Sequence, residues 1–105
     1  MTKEELTVWA LANGWRIIAG YPSLTKPGAP NDPIVRLALK ATVVNLEVRK
    51  PAGKWEKVAG ESYSRVVQGS DDGPPRGLGF EKLPSITSLM QQNRDAMIFG
   101  RTSGS

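Results

Sequence analysis

Val35-Arg36-Leu37-Ala38-Leu39-Lys40-Ala41-Thr42-Val43-Val44-Asn45-Leu46-Glu47-Val48-Arg49 carries the plainest structural signal in this chain. Val35, Leu37, Leu39, Ala41 and Val43 occupy odd positions, with Arg36, Lys40 and Thr42 among the residues between them. The phase then flips, and Val44, Leu46 and Val48 fall on even positions. A period of two marks a half-buried β-strand. A phase change without Gly or Pro suggests one long strand over 34–49 with a bulge near Val43-Val44. A tight turn near Lys40–Thr42 is the alternative, but its residues are poor turn formers. The bulged strand is the expectation.

Downstream, Lys50-Pro51-Ala52-Gly53-Lys54 reads as a hairpin turn, with Pro51 setting φ and Gly53 free to take positive φ. Trp55 to Val67 returns as a partner strand whose facing the alternation leaves open. Upstream, residues 20–33 hold Pro22, Pro27, Pro30 and Pro33 with Gly20 and Gly28. Proline density of this order argues against regular structure and for a long, semi-stiff loop.

The flanks read as helices. Thr2 and Glu5 have capping-box spacing at the start of a helix over 2–13, and Asn13-Gly14 is a stop signal. Leu6, Trp9 and Ala10 share its apolar face, and Trp15–Gly20 follows as a short strand. Residues 68–79 form a second Gly/Pro loop. Ser85 then caps a helix with Ile86, Leu89, Met90 and Met97 on its apolar side and Gly100 as its stop. Arg101–Ser105 should fray. The expected fold is α+β. It has a three-stranded antiparallel sheet with N- and C-terminal helices packed on one face, in αβββα order, as a single domain over 1–100. That order resembles the plan of double-stranded-RNA-binding domains. It also resembles that of small HicA-type RNase toxins, whose first helix likewise ends near a Gly-aromatic pair, here Gly14-Trp15. The catalytic histidine motif of those toxins has no counterpart here, so the likeness implies no activity.

Composition narrows the chemistry. The chain has 105 residues, enough to bury roughly two thirds of its unfolded surface without metal or disulfide help. It contains neither cysteine nor histidine. Thiol nucleophiles, disulfides, Ser-His-Asp catalysis and nearly all zinc sites are thereby excluded. No cofactor or metal is implied, and a non-enzymatic module is the expectation. Asp71-Asp72 alone does not complete a cation shell. Arg76-Gly77-Leu78-Gly79-Phe80 lacks the third glycine of a dinucleotide fingerprint and any Walker Lys-Ser pair, so it reads as a turn. No apolar run is long enough for a membrane span and the N-terminus lacks a signal-peptide plan. No membrane partner is expected, and cytoplasmic location is the default.

Charge is segregated. Residues 34–65 hold Arg36, Lys40, Arg49, Lys50, Lys54, Lys57 and Arg65 against Glu47, Glu56 and Glu61, which is the whole net +4. The rest of the chain is balanced. Cations neutralise phosphates and release counterions, and an aromatic such as Trp55 can stack on a base. These residues are therefore the candidate nucleic-acid-binding site, DNA or RNA, built on a basic β-hairpin. A plain solvated hairpin, whose lysines discourage edge pairing, explains the same charges. The alternative function is a protein-interaction module docking through a sheet edge or through the Pro-rich segment 20–33, where Tyr21 adjoins Pro22.

Overall fold

The computed structural model describes residues 1–69, 74–83 and 85–92. Met97, Gly100, Asp71-Asp72 and the tail 101–105 lie outside the described residues.

Helix α1 spans Lys3–Ala12. Its start is the capping box read from the sequence. Glu5 N–H donates to Thr2 Oγ1 at 3.1 Å, and Thr2 N–H donates to Glu5 Oε1 at 2.8 Å. Hydrogen bonding to the Glu5 carboxyl, first from the Thr2 backbone N–H and then from the Thr2 side chain, lowers its pKa from the ordinary value. Five strands follow: β1 Arg16–Ile18, β2 Tyr21–Lys26, β3 Ala29–Leu39, β4 Val43–Arg49 and β5 Trp55–Ser62. They form one antiparallel sheet in the order β1-β2-β3-β4-β5, each strand pairing with its neighbour in sequence. A three-stranded sheet in αβββα order is thus incorrect, and the likeness of element order to the RNA-binding domains and toxins lapses with it.

Two physical causes account for the additional strands. The first lies in 34–49, which is two strands and not one. Val35 pairs with Val48, Leu37 with Leu46 and Leu39 with Val44. Directly opposed residues of an antiparallel pair share a face. A hairpin whose partners sum to an odd number therefore switches its inward residues from odd to even. The phase flip is the mark of a turn at Lys40–Thr42, closed by Lys40 N–H donating to Val43 O at 2.9 Å. The bulge lies elsewhere, in the β4–β5 pairing, where Leu46 faces Ala59 but Glu47 faces Lys57 and Val58 is extra.

The second cause lies in 20–33, which is β2, a two-residue turn and the start of β3. Pro27 and Gly28 are the turn, with Gly28 at φ +80°. A proline followed by a residue at positive φ is the type II pattern. Pro30 and Pro33 lie where the β2–β3 register slips: Thr25 faces Pro33, yet Lys26 faces Ala29. The bulged side carries Pro30, Asn31 and Asp32 outside the ladder. Prolines are accommodated in sheets at such irregularities, because no ladder donor is required of them there.

One face of the sheet is covered. Val35, Leu37, Val44 and Leu46 join Leu24 of β2, Leu6 and Ala10 of α1, and Ile86 and Met90 of the helical stretch 85–92 in one buried core. Trp15 stacks there between Trp9 and Phe80, with ring centroids 5.7 and 6.2 Å away. Beyond β5, which ends at Ser62 and not at Val67, a 3-10 turn covers Tyr63–Arg65. The Gly77–Gly79 segment packs against this part of the fold. A Cβ at Gly77 would stand 2.9 Å from Arg65 O, and one at Gly79 2.7 Å from Ala59 Cβ, both at positive φ. Leu78 between them is fully buried. These glycines serve close packing and present no phosphate-binding loop.

Tyr63 ties the 3-10 turn to the β3–β4 turn, its hydroxyl donating to Lys40 O at 2.7 Å. Burial, with a smaller contribution from Glu4, pushes its phenol above the ordinary value of 10.0. A phenol whose pKa is raised by folding contributes stability that is fully present below pH 10 and lost as pH rises through the folded value. Tyr63→Phe should cost about 0.5–1.5 kcal/mol at pH 8 through the lost hydrogen bond. It should also reduce the alkaline loss of stability. Urea melts of both proteins at pH 8 and pH 11 check this; equal alkaline losses would assign the effect to another group.

Candidate functional site

Among the described residues no helix covers the opposite face of the sheet, and the basic segment crosses it. Register places Arg16, Ser23, Arg36, Glu47 and Lys57 in one transverse row across all five strands. Arg36 is its centre. Its Nε donates to Glu47 Oε1 at 2.6 Å. Its guanidinium carbon lies 4.1 Å from the Trp55 ring centroid and 5.1 Å from that of Tyr21. A planar cation between two aromatic rings is attracted to the negative faces of both. Tyr21 and Trp55 thus both approach the Arg36 guanidinium on this face. Trp55 is half-buried, and it stands opposite Arg49.

The β2–β3 turn at Pro27-Gly28 and the β4–β5 turn at 50–54 lie at the same end of the sheet. A groove of about 630 Å³ opens there. Lys26, Arg49 and Lys50 line it with Asp32 and Trp55. Asp32 spans the two hairpins, its carboxylate accepting from Arg49 Nη2. Lys50 also pairs with Glu56 at 2.7 Å, but both side chains are 55% exposed. Exposed pairs of this kind contribute at most about 1 kcal/mol and yield easily to a competing ion.

The candidate residues therefore separate. Arg49, Lys50 and Trp55 converge on the groove, with Lys54 exposed in the adjoining turn. Arg36 adjoins Trp55 but is committed to Glu47 and to the two rings. Lys57 lies along β5, its side chain crossing Gly60 next to Asn45 Oδ1, where an added Cβ would meet both. Lys40 and Arg65 are at the far end, beside the β3–β4 turn. The seven residues of β4 separate the two ends by roughly 20 Å. The candidate residues thus fall into a groove group and a far pair at the two ends of the sheet.

Lys26 and Asp32 line the groove and Tyr21 adjoins Arg36; none is among the candidate nucleic-acid-binding residues, though all three lie in the segment 20–33 of the docking alternative. They lie in the segment whose prolines read as a loop. Pro27-Gly28 was the available signal, since a Pro-Gly pair between two short runs can be a hairpin turn. None of the described helices is long and apolar enough to cross a membrane. No protein-family model, curated protein or solved structure proved similar to this chain.

Proposed function

We propose that this protein is a small non-enzymatic nucleic-acid-binding module. It holds a strand at the end of the sheet where the β2–β3 and β4–β5 hairpins meet. The observation that supports this reading best is the convergence of Lys26, Arg49 and Lys50 on one groove that has Trp55 in its wall. Cations at such a place neutralise backbone phosphates, and the indole offers a base a stacking surface. The far pair, Lys40 and Arg65, takes no part.

The reading is tested by fluorescence anisotropy with a labelled ten-nucleotide single strand over a range of salt. Phosphate contacts by Lys26, Arg49 and Lys50 should give a log–log slope of about −2. Lys26→Ala with Lys50→Ala should flatten it by roughly 1.4, whereas Lys40→Ala with Arg65→Ala should leave it unchanged. Absence of binding at low salt, or binding indifferent to salt, overturns the proposal. Protein docking at a sheet edge or along the β2–β3 hairpin would then be the better reading.

A further inference from the structure

We infer that the groove takes one unstacked nucleotide, and that Asp32 is the counter-ion its phosphate displaces from Arg49. This inference rests on the nucleic-acid reading above and specifies its ligand.

Asp32 owes its position to the slip in the β2–β3 register. The residues between Ala29 and Pro33 leave the ladder, and the Asp32 carboxylate reaches the Arg49 guanidinium on a different hairpin. Among the described residues Asp32 is the carboxylate that lines the groove, against Lys26, Arg49 and Lys50, and Glu56 pairs with Lys50 beside it. A guanidinium presents the same fork of donors to a carboxylate and to a phosphate. An incoming phosphate therefore competes with Asp32 for the same N–H groups. The Arg49 and Asp32 side chains remain 30% and 38% exposed. An ion pair so accessible to water is weak, and exchanging its anion costs little.

The aromatic part sets the other half of the ligand. Arg36 lies 4.1 Å from the Trp55 centroid and occupies one face of the indole. Trp55 also lines the groove, and a base there would take the side of the indole away from Arg36. A volume of about 630 Å³ lies in the ordinary range of small-molecule sites. Bases inside a duplex are stacked on one another and cannot offer a ring face to the half-buried indole without being flipped out. The ligand is therefore a nucleotide unit of a single strand, with its base on Trp55 and its phosphate on Arg49 and the flanking lysines.

The experiment compares Asp32→Asn with the wild-type protein, using a ten-nucleotide oligothymidylate and a duplex of the same length at 50 mM salt. Removing the competing carboxylate should tighten single-strand binding roughly fivefold and steepen the salt slope. The gain should vanish in the Arg49→Gln background. Wild-type binding of the duplex should be the weaker. If wild type binds the single strand but Asp32→Asn binds no better, or if duplex binds equally well, this inference is overturned while the broader reading stands. If wild type binds neither at low salt, the broader reading itself fails. An NMR titration of the wild-type protein makes the test independent of the variants' folding. The Arg49 guanidinium resonances should shift and saturate together with the Trp55 indole resonance. An unmoved Arg49 alongside a shifting Trp55 overturns the exchange.

Discussion

Trp15→Ala should be the most damaging single change in this fold, at about 3–5 kcal/mol of stability. Trp15 is 2% exposed and lies between the first turn after α1 and the core face of the sheet. It touches Trp9 and Phe80 in tilted and edge-on geometry, so truncation leaves a void that two aromatic rings cannot both fill. Domains of this size are commonly stable by only about 5–15 kcal/mol, so the variant should melt at markedly lower urea. Trp15→Phe should cost much less than its lost volume alone implies. The buried indole N–H has no hydrogen-bond partner among the described residues. A buried donor left unpaired is unfavourable, and phenylalanine removes it. Urea melts of the two variants check both statements. A loss below about 1 kcal/mol for Trp15→Ala would show that the aromatic cluster is not part of the cooperative core.

How far the chain could be read depended on whether a feature was local. The α1 capping box needs only Thr2 and Glu5, and it forms as their spacing indicates. Alternation alone marks Val35, Leu37, Val44 and Leu46, which are buried, but it marks Ala41 and Val43 equally, and both are exposed at the turn. What separates one bulged strand from two strands is a pairing between residues up to thirteen apart, Val35 with Val48. Alternation supports both readings until that pairing is known. Weak turn propensity at Lys40-Ala41-Thr42 pointed the wrong way, because burial of the inward stripe outweighs the preferences of three exposed residues. The prolines misled for a related reason. Proline removes a ladder donor, which matters only where the ladder is regular, and Pro30 and Pro33 stand where its register slips. The segregated charge was visible from composition, but its division between two ends of the sheet was not. That division is set by which turn each cation falls beside, and two of the groove's charged residues, Lys26 and Asp32, come from the misread segment.

Trp55→Ala should lower single-strand affinity by about 1–3 kcal/mol, the range for loss of one base-stacking platform. Its effect on stability should be far smaller than that of Trp15→Ala, because the two indoles do different work. Trp15 fills the covered side of the sheet, whereas Trp55 is half-buried on the open side and touches the guanidinium of Arg36. Removing it deletes a cation–π contact worth about 0.5–2 kcal/mol. Arg36 is not stranded by the change, since Glu47 still accepts from its Nε and Tyr21 still lies 5.1 Å away. Trp55→Phe keeps a ring and should retain most of the affinity, while Trp55→Leu keeps apolar volume without a π-face and should not. Oligonucleotide titrations and urea melts of the three variants separate stacking from packing. If Trp55→Ala instead unfolds the protein at much lower urea while affinity per folded molecule is unchanged, the indole is a structural partner of Arg36 alone. The groove would then bind through its charges only, and base stacking would have to be given up along with the single-nucleotide ligand.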